Sequence, residues 1–436
     1  NAAGVVDFNP PLDDALGVNA FGMQSLVALA RDLGDVPVLH TSTCYVAGNR
    51  TGQVDEVDPL SHPFPRAGTL EGSHWDPELE IRECVDVVEH VRHRANDSFR
   101  QSAFLDEAKA NLRDKGEPER GTALEDELAR VRRKYVEKEL ARAGTERAHH
   151  WGWPNTYTYT KSIGEQILMS SGLRCAINRP AVIESSLAFP IAGWNEGITT
   201  SAPIMYLSMQ GMTGMPSSDR SVLDVIPVDT VAAGMILVLA ELLDDSHRPV
   251  YQLGTSDVNP LPMKRLIELT GLYKRRHYAG KTSGNPFLNW IQSQYETVPI
   301  TAEHWSTKGA GRTAERLSGV SRFLRKTTKN LTLLAPLADP AVKLVDSVAA
   351  ASAGTHKVID QYVPFTALNT YVFSCRNVRD ALARVPEDQL ELLPWEPEAL
   401  DWRHYLMEVH LPGVETLVWP RIEKRLHRPK KPLRAH

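Results

Sequence analysis

The feature that most constrains the fold of this chain is an alternation of helical and strand-like segments that begins near its amino terminus. The stretch DALGVNAFGMQSLVALARDLG carries apolar residues at helical spacing and stops at Gly34, and VPVLHTST follows it as a compact apolar strand. Strands that are apolar on both faces are typical of parallel sheets covered by helices. The pattern therefore predicts an α/β fold with a doubly wound, Rossmann-type parallel sheet.

The same alternation returns after Pro154 and continues to about residue 255. RCAINRPAVI and PVYQLGT are compact apolar strands, and VLDVIPVDTVAAGMILVLAELL is a strand that leads into a helix with Asp229 at its predicted amino-terminal cap. We therefore assign residues 1–255 to one Rossmann-type domain. Residues 256–436 are mainly helical in pattern and are predicted to form a smaller C-terminal domain.

A charged segment, at about residues 65–150, interrupts this alternation. It consists of long helical stretches, and Asp76 before Pro77 is a helix-start signal. We interpret the segment as a helical insertion with solvated faces that packs through one apolar stripe. A lid or a dimer contact would give the same pattern, so those two roles stay open.

Charge and cysteine content exclude several classes of protein. A net charge of -5 supplies no electrostatic footprint for nucleic acid, and four widely spaced cysteines suit a reducing, cytoplasmic compartment. The run LTLLAPLADPAVKLVDSVAAASAG is interrupted by proline and charged residues, so it is not a membrane span. The basic end EKRLHRPKKPLRAH is either a solvated tail or a contact for anionic lipid, which limits membrane association to the peripheral kind.

The segment WPNTYTYTK holds two tyrosines, of which one has a lysine four positions later. On a helix Tyr157 and Lys161 share a face, whereas Tyr159 points elsewhere. A nearby ammonium favours the phenolate, so Lys161 is expected to lower the pKa of Tyr157 toward the working range of an acid or base. Tyr157 is therefore the candidate for acid–base chemistry.

A tyrosine that acts on a carbonyl group needs a second donor to orient the carbonyl oxygen. In HTSTCY, Ser42 and Thr43 lie just past a predicted strand. Ligands bind at the carboxyl ends of parallel strands, and a helix beside a neighbouring strand can bring Tyr157 to the same edge. Hydroxyl, phenol and ammonium groups are therefore expected to converge, although Ser and Thr after a strand are also common turn formers.

These residues carry a resemblance to a known family. Ser42, Thr43, Tyr157 and Lys161, in this order on a Rossmann pattern, resemble the extended short-chain dehydrogenase/reductases. Five segments together resemble the fatty acyl-CoA reductases, which have a male-sterility-type NAD-binding domain: NAA, HTSTCYVAGNRTG, GWPNTYTYTKSIGE, NRPAVIESSLAFPIAGWNEG and VLDVIPVDTVAAGM. The resemblance is close over about residues 1–260 and thinner in YVFSCRNVRDAL and LDWRHYLMEVHLPG.

The resemblance implies a role for each matching residue. Thr43, or less directly Ser42, would orient the carbonyl, Tyr157 would donate the proton, and Lys161 would lower the pKa of Tyr157 and bind the nicotinamide ribose. Asn19 would hold an active-site water near that lysine. The remaining matches would contact NADPH: Asn1, Ala2 and Ala3 below the cofactor, and Pro180, Ala181 and Val182 beside the nicotinamide.

One departure from the family concerns the amino terminus. No GxxGxxG loop for the cofactor pyrophosphate occurs in the sequence, and NAAGVVDF looks like the end of a buried strand without an earlier strand to pair with. We therefore expect a domain whose first strands and glycine-rich part are missing. The C-terminal region, 256–436, would be the substrate-binding domain.

The resemblance implies an oxidoreductase of lipid metabolism that reduces long-chain fatty acyl-CoA with NADPH to a fatty aldehyde, a primary fatty alcohol, or both. Trp194, in AGWNEG, is a candidate for the substrate entrance, while Trp151 and Trp153 are expected to pack. His149 and His150 are adjacent and lack partners for a zinc set, so no metal site is predicted.

Two other functions stay open at this point. Another extended reductase or epimerase, acting on a carrier thioester, a sterol or a sugar nucleotide, would share the Thr-Tyr-Lys set but not AGWNEG. A non-catalytic Rossmann-like module for lipid binding or protein interaction would need neither.

Overall fold

The computed structural model describes residues 1–70, 75–198, 200–281, 285–329 and 335–426, and the statements below concern these residues. Its strands pair in parallel throughout. They are β1 (Val38–Thr41), β2 (Thr51–Val54), β3 (Cys175–Pro180), β4 (Val182–Glu184), β5 (Gly214–Pro216), β6 (Val225–Pro227), β7 (Val250–Leu253), β8 (Val298–Ile300) and β9 (Thr370–Phe373).

Helices occupy most of the remaining chain. They are α1 (Leu12–Leu16), α2 (Gly22–Asp32), α3 (Pro77–Arg94), α4 (Ser98–Lys115), α5 (Thr122–Trp151), α6 (Thr156–Ser170), α7 (Ala202–Met209), α8 (Val228–Leu243), α9 (Met263–Gly280), α10 (Pro286–Gln294), α11 (Ala302–Lys308), α12 (Ala310–Lys329), α13 (Ala335–Asp360), α14 (Arg376–Leu382), α15 (Trp402–His404), α16 (Leu411–Leu417) and α17 (Trp419–Leu426). Three π-helical turns lie at Gly17–Phe21, Pro364–Leu368 and Tyr405–His410.

The central sheet has the order β1-β3-β7, and helices cover both of its faces. Successive side chains of a strand point to opposite faces, so neighbouring residues of β3 belong to different cores. Ile177 joins an apolar cluster with residues of α2 and α6. Ala176 joins another cluster with residues of α8. The predicted α/β fold with a doubly wound parallel sheet is confirmed.

The segment at the start of the chain runs beside β1 but forms no regular strand. The Asn1 amino group donates a hydrogen bond to the Leu39 carbonyl over 2.7 Å, and Thr41 N–H donates to the Asn1 carbonyl over 2.9 Å. Residues 1–7 are otherwise irregular. The predicted strand end is therefore represented only by these two bonds of Asn1 to β1, and no regular strand covers residues 1–7.

The charged segment forms α3, α4 and α5. The Asp76 carboxylate caps α3 by accepting a hydrogen bond from Leu79 N–H over 2.8 Å, as the sequence predicts. Asp229, by contrast, does not cap α8, because the helix already begins at Val228 after Pro227. Its carboxylate accepts three backbone hydrogen bonds, at 2.8 to 3.0 Å, from the loop at 187–189.

Strands on either side of position 255 pair with each other, and residues from both sides pack in the same apolar cluster. Strand β2 pairs with β9, and β5 pairs with β8. One apolar cluster contains Met205 and Leu266 together with Tyr405 and Val414. The two-domain division at 255, with a substrate-binding C-terminal part, stays a prediction.

Membrane contact was predicted to be peripheral at most. Within the described ranges, no helix combines the length and apolar character that crossing a bilayer requires. Residues 427–436, which hold most of the basic carboxyl-terminal run, lie outside the described part of the chain.

Candidate active site

Helix α6 positions the candidate tyrosine and lysine. It begins after Asn155, whose side chain caps the helix by accepting a hydrogen bond from Thr158 N–H over 2.9 Å. Tyr157 N–H is held by the Phe8 carbonyl at 3.1 Å. Because Tyr157 and Lys161 are four residues apart on this helix, both point toward the carboxyl end of β1.

The Thr43 hydroxyl lies close enough to the Tyr157 phenol to stabilise its phenolate form. Burial nevertheless raises the pKa of Tyr157 to about 12, and the Thr43 hydroxyl only partly offsets that effect. The expectation that Lys161 lowers this pKa is therefore wrong, because the pKa is raised and Lys161 is not among the groups that shift it. Desolvation disfavours the phenolate more than the nearby polar groups stabilise it.

Lys161 is nearly buried, with 4% of its surface exposed, and directs its ammonium group to β1. Nζ donates a hydrogen bond to the Thr41 carbonyl over 2.8 Å. Burial lowers the pKa of Lys161 to about 8, with the Glu165 carboxylate acting in the opposite direction. The lysine charge is thus held at the strand end, next to the segment that begins at Asn1.

Asn19 lies in the π-helical turn at Gly17–Phe21 and faces the same segment. Its Nδ2 donates to the Thr160 hydroxyl over 3.0 Å, and its Oδ1 accepts from Val5 N–H at 3.4 Å. Gly4 runs between Asn19 and Lys161, and a β-carbon at Gly4 would lie 2.8 Å from the lysine Nζ. The backbone therefore approaches the lysine as closely as only glycine allows.

Ser42 and Thr43 follow β1 and contact the neighbouring strand β3 through hydrogen bonds. Ser42 N–H donates to the Asn178 carbonyl over 2.7 Å, and the buried Ser42 hydroxyl has no hydrogen-bond partner within the described part of the chain. Thr43 caps a short 3₁₀ turn by accepting from Tyr45 N–H at 3.3 Å. Its hydroxyl also lies 3.5 Å from the Pro180 carbonyl. Two strand ends and one helix thus converge here.

Several of these residues line a cavity of about 370 Å³. Seven of the predicted site residues line it: Ser42, Thr43, Tyr157, Pro180, Ala181, Val182 and Trp194. Lys161, Asn19, Asn1, Ala2 and Ala3 are not among its lining residues. The first two lie behind the wall, and the last three are exposed beside β1.

The rest of the cavity is mainly apolar. Its wall includes four methionines, Met205, Met212, Met215 and Met263. Methionine is flexible and polarizable, so such a wall adapts to the shape of an apolar ligand. Pockets of this size and character bind small molecules or cofactors.

Two buried titratable residues, one in this wall and one behind it, were not predicted from the sequence. Burial raises the pKa of Glu184 to about 7 and lowers the pKa of His410 to about 3. Glu184 sits two positions after Val182 in β4, so its place on the cavity side was a signal in the strand pattern. His410 comes from 226 residues further along the chain, and no local pattern indicates that contact.

Other residues named from the sequence behave as packing groups. Trp151 and Trp153 are buried in the apolar cluster between α5 and α6, as predicted. The His149 ring contacts the Pro154 carbonyl at 3.0 Å, and the His150 ring packs against Trp151. In the described ranges, no cluster of three or more His, Cys, Asp or Glu side chains is arranged to hold a metal ion.

The chain is similar in sequence to several fatty acyl-CoA reductases. Fatty acyl-CoA reductase 2, chloroplastic, of Arabidopsis thaliana is 25% identical over 425 residues, which cover 95% of this chain and 60% of that protein. The alcohol-forming fatty acyl-CoA reductase of Simmondsia chinensis is 25% identical and covers 95% of this chain and 75% of its own length. Human fatty acyl-CoA reductase 2 is 35% identical over 162 residues, 35% of this chain and 30% of that protein.

Among solved structures, the chain is similar to the terminal R domain from the myxalamid PKS-NRPS biosynthetic pathway. The identity is 12%, the alignment covers 96% of this chain and 67% of that one, and the TM-score is 0.47.

A family model described as male sterility protein, of the NAD-binding type, matches residues 1–235. This match covers more than half of the chain, including strands β1 and β3 of the central sheet, the capped helix α6 and the strand ends around Thr43 and Pro180. The chain therefore belongs to the male sterility protein family.

Proposed function

We propose that the protein reduces long-chain fatty acyl-CoA with NADPH, yielding a fatty aldehyde, a primary fatty alcohol, or both. The observation that carries the proposal is that the hydroxyl-bearing Tyr157 and Thr43 line the same, mainly apolar cavity. The names of the fatty acyl-CoA reductases that resemble this chain support the choice of substrate.

The surroundings of Lys161 suit the nicotinamide half of such a cofactor. A buried ammonium lies next to glycine backbone, and the Ser42 hydroxyl has no protein partner within the described ranges. Lys161 would bind the ribose hydroxyls, and Pro180 to Val182 would lie beside the ring. When bound, the cofactor supplies hydride to the carbonyl carbon of the substrate.

Tyr157 and Thr43 would act on the carbonyl oxygen. As negative charge develops there, both hydroxyls donate hydrogen bonds to it, and Tyr157 transfers its proton. A raised pKa suits this role, because the phenol remains protonated throughout the neutral range. The resulting hemithioacetal loses coenzyme A as the thiol and leaves the aldehyde. A second reduction, with Tyr157 again giving the proton, would yield the alcohol.

The apolar wall would hold the acyl chain during these steps. Burial of methylene groups contributes about 0.8 kcal/mol each, so a long chain gains affinity in proportion to its length. The methionine side chains would adjust to chains of different length or unsaturation. Trp194, on the wall near the exposed Glu196, would border the entrance.

An assay of the whole gene product tests the proposal. Fatty acyl-CoA, an acyl-carrier-protein thioester and a UDP-sugar are supplied side by side, while NADPH and NADH consumption and thiol release are followed. The expected result is thiol release coupled to NADPH consumption with acyl-CoA. Reduction of the carrier-protein thioester or turnover of the UDP-sugar alone would favour another extended reductase, and no turnover at all would favour a non-catalytic lipid-binding module.

A further inference from the structure

A polar cluster interrupts the apolar wall of the cavity. It consists of Glu184, Thr200, Ser201, Tyr362 and His410. The first four line the cavity, and the His410 ring lies behind them, fully buried. An alkyl chain gains nothing from such groups, and placing a carboxyl in an apolar wall is costly unless it is hydrogen-bonded.

The Glu184 carboxyl is the centre of this cluster. Oε1 accepts a hydrogen bond from Ser201 N–H over 2.8 Å, and Oε2 is bonded to the Thr200 hydroxyl at 3.1 Å. His410 Nε2 lies 3.7 Å from Oε2, which is too long for a hydrogen bond. The carboxyl is thus fixed in place on one side, while its other side borders the cavity.

His410 ties the cluster to the strand behind it. Nδ1 contacts the Ser185 hydroxyl at 2.8 Å, and Nε2 lies 3.4 Å from the Ser201 hydroxyl. Because burial raises the pKa of Glu184 and lowers that of His410, the uncharged forms are favoured for both. An uncharged carboxyl and two hydroxyls both donate and accept hydrogen bonds, as a hydroxyl ligand requires.

The backbone at the cluster is held in an unfavourable conformation. Thr200 has φ of +57°, which a β-branched residue rarely adopts. Two contacts hold it: its hydroxyl bonds to Glu184, and its carbonyl accepts from the Tyr362 hydroxyl at 2.6 Å. Backbone strain of this kind accumulates at ligand-binding sites, where the surrounding contacts impose it.

Glu184 and Pro180 line the same cavity from successive strands, β4 and β3. Four residues of nearly extended chain separate them, so their backbone positions can lie up to about 13 Å apart. A ligand that spans both places is long, apolar in between and oxygen-bearing at a distance from its carbonyl.

We propose that this cluster binds a hydroxyl group on the acyl chain, so that the protein prefers hydroxyacyl substrates to plain ones of equal length. The inference rests on the proposed function only in that the cavity holds an acyl chain. Glu184 is then the residue that sets this preference, with Thr200 and Ser201 completing the hydrogen bonds.

A binding experiment separates this inference from the proposed activity. The full chain is titrated with hexadecanoic acid and with each of its mid-chain monohydroxy isomers, and binding is followed by intrinsic tryptophan fluorescence. These free acids need no turnover, so the result stands even if acyl-CoA reduction fails. At least one isomer is expected to bind about tenfold tighter than the plain acid. Equal or weaker binding by every isomer overturns the inference.

Substitutions in the cluster test which residues cause the preference for hydroxylated acids. Glu184→Met should abolish the preference, so that hydroxylated and plain acids of equal length bind alike, whereas Glu184→Gln, which still donates and accepts, should keep it. If Glu184→Met does not fold, Ser201→Ala removes one hydroxyl without touching the backbone bond to Glu184 and should reduce the preference. A preference that survives in both Glu184→Met and Ser201→Ala overturns the assignment. The assignment is also overturned if Glu184→Met loses as much affinity for plain palmitoyl-CoA as for the hydroxylated acid. That result would mean that the cluster binds the coenzyme A part of the substrate.

Discussion

The two faces of helix α6 carry the same kind of residue in opposite environments. Tyr157 lines the cavity together with Thr43. Tyr159, two positions later, is fully buried against the helical insertion, where its hydroxyl is bonded to Glu80 and lies 3.1 Å from the Cys84 sulfur. A phenol bordering a cavity can exchange its proton with a ligand, whereas a phenol enclosed by its own protein only holds structure together.

The enclosed side is a closed network. Glu80 accepts hydrogen bonds from the Arg147 guanidinium at 2.9 and 2.7 Å and from the Trp151 indole at 2.9 Å. Through Tyr159 it ties α3 and α5 to α6. The insertion therefore supports the helix that carries Tyr157 and Lys161, which is the role of a scaffold. A lid or a dimer contact stays a prediction.

The largest effect expected from this comparison is on catalysis by Tyr157→Phe. The substitution removes the proton donor without changing the ring, so we expect a loss of about 10² to 10⁴ in kcat. Tyr159→Phe is the matched control, with a small change in kcat at temperatures where the protein is folded. Steady-state NADPH consumption with acyl-CoA measures both, and equal losses would show that the two faces are not distinct.

Lys161→Ala is expected to have the next largest effect, on two quantities at once. Under the proposed function the lysine binds the nicotinamide ribose, so the variant should bind NADPH more weakly and also turn over more slowly, each by about tenfold or more. NADPH fluorescence titration and kcat report these separately. A slower rate with unchanged NADPH affinity would remove the ribose role.

How far the sequence predicts this site depends on how local each contact is. Tyr157 and Lys161 follow from helical spacing, and Thr43 follows from a strand end in a parallel sheet, whereas Pro180 comes from the resemblance to the fatty acyl-CoA reductases. The direction in which the Tyr157 pKa shifts does not follow from the sequence, because burial beside a cavity is a property of the assembled fold. Glu80 and His410 were missed for the same reason, since their partners lie 79 and 226 residues away.

The effect of alkaline pH on kcat/KM should be smaller than the effects of these substitutions, and it should follow the titration of Lys161. Its pKa of about 8 means that the ammonium is lost as pH rises through that value, so kcat/KM should fall above about pH 8. Tyr157 stays protonated there. The stability of the fold should respond in the opposite direction, because between pH 8 and the ordinary lysine pKa of 10.5 the unfolded chain binds more protons than the folded one.

The free energy of unfolding of the wild type should therefore rise across that window relative to Lys161→Met. Urea titrations of both proteins at several pH values, together with pH–rate profiles of the wild type, check the two directions. A difference between wild type and variant that stays constant with pH would mean that Lys161 is not the titrating group.

The smallest effect on rate, and the clearest on stability, is expected from Glu80→Ala. The change leaves the half-buried Arg147 and the Trp151 indole without their common acceptor, which should lower the free energy of unfolding by about 2 to 3 kcal/mol. Glu83→Ala is the matched control, because Glu83 bonds to the same arginine at 2.7 Å but has half of its side chain exposed. Its loss should cost under about 1 kcal/mol.

Urea unfolding of both variants gives the two values, and NADPH turnover of the folded proteins should remain close to wild type. A large loss of turnover in folded Glu80→Ala, without a matching loss of stability, would mean that the enclosed face of α6 takes part in the chemistry and that the two tyrosines are not as separate as their surroundings indicate.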